Sequence, residues 1–201
     1  CKTIYSSVFK KNLVFFLVDI DILKSIATSS GDEFYSPLPE NYKAGQTKYV
    51  FITGSVISGI GKGIFSSSIG KLLVDRGIKV SPIKLEAYMN IDAGTLNPFR
   101  HGEVFVLDDG TETDMDLGGY ERFLDQNLSK ENFVTSGKIY YNIIKKEREG
   151  KYLGRDVQFI PHVTGETKLV LRNLAVKQTP NIVLVEIGGT VGDYENMFAI
   201  E

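Results

Sequence analysis

Cysteine is nearly missing from this sequence: the one residue of that type is Cys1. No internal disulfide, cysteine metal cage or buried thiol nucleophile can be built from it, and the composition suits a reducing cytoplasm. Imidazole is scarce too, leaving His101 and His162 as the candidate histidine bases. Neither sign of charge is in excess. With 23 Lys and Arg against 25 Asp and Glu, the net charge is −2 and the pI is about 5.8. That balance argues against nonspecific contact with nucleic acid or an anionic membrane, which needs a basic surface, so phosphate recognition is expected to be local. Long apolar runs are lacking as well. Lys10-Lys11-Asn12-Leu13-Val14-Phe15-Phe16-Leu17-Val18 has the look of a signal peptide. Asp19 and Asp21 interrupt it short of the ~20 residues that a bilayer span requires, and no small-residue cleavage site follows. The expectation there is an extra strand or helix, or sequence foreign to the domain.

The 201 residues are enough for one α/β domain plus an appendage, and 42% hydrophobic with 24% charged residues is ordinary for a globular protein. The chain starts with Cys rather than Met and stops at Glu201 inside an expected helix, which reads as a fragment. Residues 29–47, with Ser29, Ser30, Gly31, Pro37, Pro39, Asn41 and Gly45, read as a turn-rich linker. From residue 48 onward strands and helices alternate. Strands are expected at about 48–53, 79–85, 157–160 and 182–187, and helices at about 62–76, 117–127, 134–148, 164–176 and from 193. Ile182-Val183-Leu184-Val185 is a continuous apolar run, the pattern of a strand buried on both faces of a parallel sheet.

Most informative is the passage from Lys48-Tyr49-Val50-Phe51-Ile52-Thr53 into Gly54-Ser55-Val56-Ile57-Ser58-Gly59-Ile60-Gly61-Lys62-Gly63. A glycine-punctuated loop lets backbone N–H groups turn toward a polyphosphate, and a helix N-terminus behind it adds partial positive charge. Lys62 can set an ammonium against the outer phosphates. The spacing is unusual, with six residues between Gly54 and Gly61-Lys62. Gly63 also replaces the Ser or Thr that ordinarily holds Mg²⁺, so a metal here needs other ligands.

On an open parallel sheet, ligands sit beyond the carboxyl ends of the strands. Four segments are expected on that rim: the 54–63 loop, Lys84, His162 and Glu186-Ile187-Gly188-Gly189. Asp108, Asp109, Glu112, Asp114 and Asp116 form an acidic segment that suits either a Mg²⁺ site or a solvated turn capping the next helix. Glu186, at the end of a buried strand, needs a cation or a partner. It can hold Mg²⁺, or form a salt bridge to Lys84. Lys84 can in turn stabilise a transferring phosphate, or snorkel from a strand end. Lys145-Lys146-Glu147-Arg148-Glu149 is a solvated helix face.

Taken together, several segments resemble the N-terminal amidoligase (synthetase) domain of CTP synthases, over about residues 48–201. They include Ser58-Gly59-Ile60-Gly61-Lys62-Gly63, Asn90-Ile91-Asp92-Ala93-Gly94-Thr95 and His101-Gly102-Glu103-Val104-Phe105-Val106. Asp116-Leu117-Gly118, Tyr120-Glu121-Arg122-Phe123 and Glu186-Ile187-Gly188-Gly189-Thr190-Val191-Gly192-Asp193 match as well. The resemblance implies a P-loop-type, dethiobiotin-synthetase-like α/β sandwich with a mainly parallel sheet. It implies ATP-dependent amination of UTP to CTP: the uracil 4-oxygen is phosphorylated, then ammonia from a glutaminase domain displaces the phosphate. Lys62 and Lys84 would be catalytic. ATP would lie on Ser58, Gly59, Ile60, Gly61, Lys62, Gly63 and Ile64, with Mg²⁺ on Asp116 and Glu186. Ser58, Asp193 and Glu195 would contribute to the UTP/CTP site, and Pro98, His101 and Val104 match the ammonia passage. The resemblance also implies a cytoplasmic parent that forms a homotetramer or filament.

Departures from the family pattern are Ser55 for a glycine, Glu86-Ala87-Tyr88 for Asp-Pro-Tyr, the 163–167 segment, and Asn196 for a serine. Residues 1–46 lie outside the pattern. The lysine-rich segment that grips UTP and the glutaminase domain would lie beyond Glu201, so this piece alone is expected to be inactive. The alternative is a non-catalytic homologue that binds nucleotide or joins a full-length synthase.

Overall fold

In the computed structural model, residues 35–55, 59, 61–152 and 155–200 are described. The signal-like stretch of residues 10–18, Ser58 and Ile60 lie outside them.

Four parallel strands form the central sheet. They are β1 (Lys48–Gly54), β2 (Val80–Glu86), β5 (Phe133–Thr135) and β6 (Ile182–Thr190), ordered β1-β6-β2-β5. A small antiparallel pair, β3 (Phe105–Val106) and β4 (Glu112–Thr113), stands apart from the sheet. The principal helices are α1 (Lys62–Val74), α2 (Met115–Leu124), α3 (Ser136–Arg148) and α4 (Thr164–Gln178).

Alternation along the strands sorts these helices into two layers. Ile83 and Leu85 of β2, with Val183, Val185 and Ile187 of β6, pack with Ile139 and Ile143 of α3 and Leu171 and Leu174 of α4. Ile52, Val80 and Leu184 point the other way, against Ile69 and Leu73 of α1. Leu117, Tyr120 and Leu124 of α2 build an adjoining cluster with Phe133 and Leu107. The result is the mixed α/β sandwich with a parallel sheet expected of a P-loop-type domain. The described part of the turn-rich stretch is tied down as well: Arg172 Nη1 donates to Ser36 Oγ at 2.9 Å and to Pro37 O at 2.8 Å, and Thr47 Oγ1 donates to Pro180 O at 2.9 Å.

One strand expectation is corrected. Residues 157–160 form no strand. Phe159–Val163 instead makes an irregular π-type turn, with Ile160 extended inside it, and a pyrrolidine at Pro161 cannot donate to a ladder. The fourth strand is Phe133–Thr135, which pairs with Lys84–Glu86. It escapes periodicity because only three residues separate a 3₁₀ turn from α3, and Thr135, its last residue, is already the cap whose side chain accepts from Lys138 N. His162 consequently does not lie on the rim. It is buried, with Nδ1 accepting from Gln158 N at 3.1 Å and its ring 4.9 Å from Tyr35 and 5.2 Å from Tyr152. Its role is structural.

Candidate functional site

Lys84 and Glu186 are direct register partners on neighbouring strands, β2 and β6. Both side chains therefore leave the sheet on the α1/α2 face, near its carboxyl edge. Both are buried, 4% and 1% exposed, and Lys84 Nζ lies 2.7 Å from Glu186 Oε1. Three further carboxylates reach the same ammonium: Glu86 at 3.4 Å, Asp114 at 3.9 Å, and Asp116, which accepts a hydrogen bond. Burial alone would depress the lysine's pKa. Glu186, Asp114, Glu86 and Asp116 outweigh that effect and hold it well above its ordinary value. Lys84 is thus a permanent cation within an excess of acid.

One of these acids, Asp116, comes from α2. Asp114 caps that helix, its Oδ1 accepting from Asp116 N at 3.0 Å, as the capping reading of this acidic segment expects. Burial pushes the Asp114 carboxyl up to about 7, against the opposing pull of Lys84 and with the help of Glu86 and Asp116. Asp116 lies in the first turn, facing α1. A Cβ added at Gly63 would stand 2.5 Å from Asp116 Oδ1. Gly63 is therefore bare because an acid from another helix occupies the space where a P-loop hydroxyl would sit.

Lys62 opens α1. The residue before it, Gly61, takes the left-handed conformation (φ 85°), as does Gly59 (φ 78°), a turn that glycine adopts without a Cβ penalty. The Lys62 ammonium donates to Gly189 O, at the end of β6. Gly54 leaves it room to pass: a Cβ there would lie 2.9 Å from Lys62 Nζ and 2.8 Å from Gly189 O. Asp193 adjoins this junction, its Oδ2 accepting from Thr190 N at 2.7 Å.

The fold thus gathers Lys62, Gly63, Lys84, Asp116, Glu186 and Asp193 at one end of the sheet. Glu195 lines a recess with Glu86, Ser136, Tyr140 and Asn196. Ile64 is 69% exposed on α1. Pro98, His101 and Val104 are all exposed, on and just after a single helical turn, and the His101 ring lies 5.9 Å from that of Tyr88.

Two members of the site carried no role in the sequence reading. Ser66 Oγ lies 2.8 Å and Tyr120 OH 2.6 Å from Glu186 Oε2. Both are fully buried. Burial, together with the charge of Glu186, pushes the Tyr120 phenol well above its ordinary value, so it remains a proton donor. The available signal was spacing: Ser66 follows Lys62 by four residues, and Tyr120 follows Asp116 by four, which puts each pair on one helix face.

A family model described as CTP synthase N-terminus matches residues 48–201. The chain belongs to the CTP synthase N-terminus family. The CTP synthase of Onion yellows phytoplasma (strain OY-M) is 59% identical over 156 residues, which is 78% of this chain and 29% of that protein. Those of Archaeoglobus fulgidus and Pyrococcus horikoshii are 57% and 58% identical, each over 77% of this chain and over 29% and 28% of their own lengths. The chain therefore spans less than a third of these relatives. Among the described residues, no helix is long and apolar enough to cross a membrane.

Proposed function

We propose that this chain carries the ATP and pyrimidine-nucleotide site of a CTP synthase-type ligase. Its cytoplasmic, oligomeric parent, a homotetramer or filament, aminates UTP to CTP with ammonia from a glutaminase domain. The observation that carries this reading is the convergence of Lys62, Lys84, Asp116 and Glu186 beside a loop with two left-handed glycines. Lys62, which donates to the Gly189 carbonyl, would exchange it for a phosphate oxygen, and Ser58, Gly59, Ile60, Gly61, Gly63 and Ile64 would surround the triphosphate. Lys84, charged and fixed, offsets negative charge on a phosphoryl group in transfer, where positioning and electrostatics carry most of the catalysis. Asp193, Glu195 and Ser58 serve the UTP/CTP side.

The donor set fits Mg²⁺. Four carboxylates share one ammonium, so negative charge remains to be balanced. Among the described residues no three or more His, Cys, Asp or Glu side chains form a metal cage. Mg²⁺ commonly takes one or two protein carboxylates and completes its shell with water and phosphate. Asp116 and Glu186 would hold it, and it would supply charge neutralisation to the triphosphate.

The test is calorimetric titration of the 201-residue chain with ATP, with and without MgCl₂. Binding should depend on Mg²⁺ and be lost in Lys62→Ala, and the same substitution should abolish CTP formation by the complete protein. Wild-type affinity in Lys62→Ala would overturn the reading. Glu86, held 3.4 Å from Lys84 where the family pattern has Asp, favours a second reading: a homologue that binds nucleotide without turnover and joins a full-length synthase. Binding by the chain, co-purification with a synthase, and no CTP formation by the complete protein would select it.

A further inference from the structure

We infer that Tyr120 and Ser66 are positioning residues for Glu186, and that their two hydroxyls fix which edge of its carboxylate is free to serve a cation. The inference rests on the metal role proposed above for Glu186. Its Oε1 accepts from Lys84 Nζ at 2.7 Å, and its Oε2 lies 2.8 Å from Ser66 Oγ and 2.6 Å from Tyr120 OH. The two hydroxyls are themselves 2.6 Å apart. Ser66 has other outlets for its single proton, Lys62 O at 2.8 Å and Gly63 O at 3.1 Å. Among the described residues, Tyr120 has only Glu186 or Ser66. If the phenol gives its proton to Ser66, the serine must turn its own to Glu186, because otherwise Oε2 would be buried without a donor. In every arrangement that satisfies these atoms, at least one hydroxyl proton reaches Oε2. Lys84 alone would hold one oxygen and leave the carboxylate free to swing about it. The hydroxyls remove that freedom, as outer-shell partners do for metal-ligating side chains elsewhere. They also join the site to both flanking helices: Ser66 belongs to α1, immediately below Lys62, and Tyr120 to α2, one turn after Asp116.

The deciding experiment measures ATP affinity of the 201-residue chain by calorimetry across a MgCl₂ series and in EDTA, for wild type, Tyr120→Phe and Ser66→Ala, with thermal unfolding in parallel. Tyr120→Phe removes one oxygen and should weaken the Mg²⁺-dependent part of binding roughly tenfold or more, leaving affinity in EDTA unchanged. Ser66→Ala should act in the same direction and less, since the phenol remains. The double variant should lose less than the product of the two single effects, because both act on one oxygen. A role in packing alone would lower the unfolding temperature and weaken binding equally with and without Mg²⁺, and that pattern overturns the inference. If Tyr120→Phe fails to fold, Ser66→Ala carries the test by the same split. Wild-type chain that binds no ATP at any Mg²⁺ concentration would sink the nucleotide reading and this inference together. Mg²⁺-dependent binding by wild type that both variants reproduce would sink the inference alone.

Discussion

Restoring the ordinary P-loop residue should damage this site. Gly63→Ser supplies the hydroxyl that most phosphate loops place after their lysine, so a reading from motif alone expects tighter Mg²⁺–nucleotide binding. The structure gives the opposite sign. The new Cβ would lie 2.5 Å from Asp116 Oδ1 and 3.0 Å from its Cγ, against the 3.4 Å at which ordinary contact begins. One of the two has to give way. Asp116 is 41% exposed on its side chain and can swing into water, so the fold survives. Forcing it off its rotamer costs about 1 kcal/mol, a fall in Tm of roughly 2–4 °C for a chain of this size. Binding suffers more, because the swing carries the carboxylate away from Lys84 and from the proposed metal position. Losing one charged contact of that kind costs about 1.5–3 kcal/mol, at least tenfold in affinity at about 1.4 kcal/mol per decade. Thermal unfolding and Mg²⁺–ATP calorimetry on Gly63→Ser and Gly63→Ala separate the contributions, since alanine brings the collision without the hydroxyl. Wild-type affinity in Gly63→Ala, or a gain in Gly63→Ser, would show that Asp116 does not need that space.

Three further outcomes are expected from urea unfolding. Lys84→Met leaves four acids without their shared cation and should cost about 3–5 kcal/mol, of which adding Glu186→Gln recovers a part; stability equal to wild type would deny the charge balance. Gly137→Ala places a Cβ 2.0 Å from Met89 O, a backbone atom that cannot step aside. It should cost about 3 kcal/mol or more, and a harmless substitution would mean that the start of α3 is not seated against residues 89–90. Asn132→Ala removes a fully buried amide that donates to Pro82 O at 2.7 Å and accepts from Ser129 N at 3.0 Å and Gln178 Nε2 at 2.9 Å. The expected loss is about 2 kcal/mol, and a loss below measurement error would remove this network from the account of how β5 is held.

Elements with continuous apolar runs of strand length were legible in the sequence. β1 and β6 carry such runs between turn signals, and Lys62 was correctly placed at a helix start. Short elements were not. Phe133–Thr135 owes its pairing to β2, a tertiary partner that no local window contains, while residues 157–160 have strand composition but end at a proline. Within the site, two readings of Glu186 had been set against each other, a cation ligand and a salt bridge to Lys84. The ion pair is present, and the surplus of acid around it leaves the metal reading in place. Ser66 and Tyr120 were hidden for a different reason. Serine and tyrosine inside helices rarely signal anything by type, and their meaning here comes from a carboxylate on a strand more than sixty residues away in the chain from the nearer of them.

The pairing of Lys84 with Glu186 also acts as an alignment key during assembly. In a parallel sheet, sliding one strand by a single position turns every side chain to the opposite layer. A slipped β2 would drive an ammonium into the oily layer between Val183 and Ile187, and would strand the carboxylate of β6 opposite a leucine or isoleucine. Two charged groups that must meet make such a misfit far costlier than an all-aliphatic sheet would. The proposed chemistry and correct threading therefore draw on the same two residues.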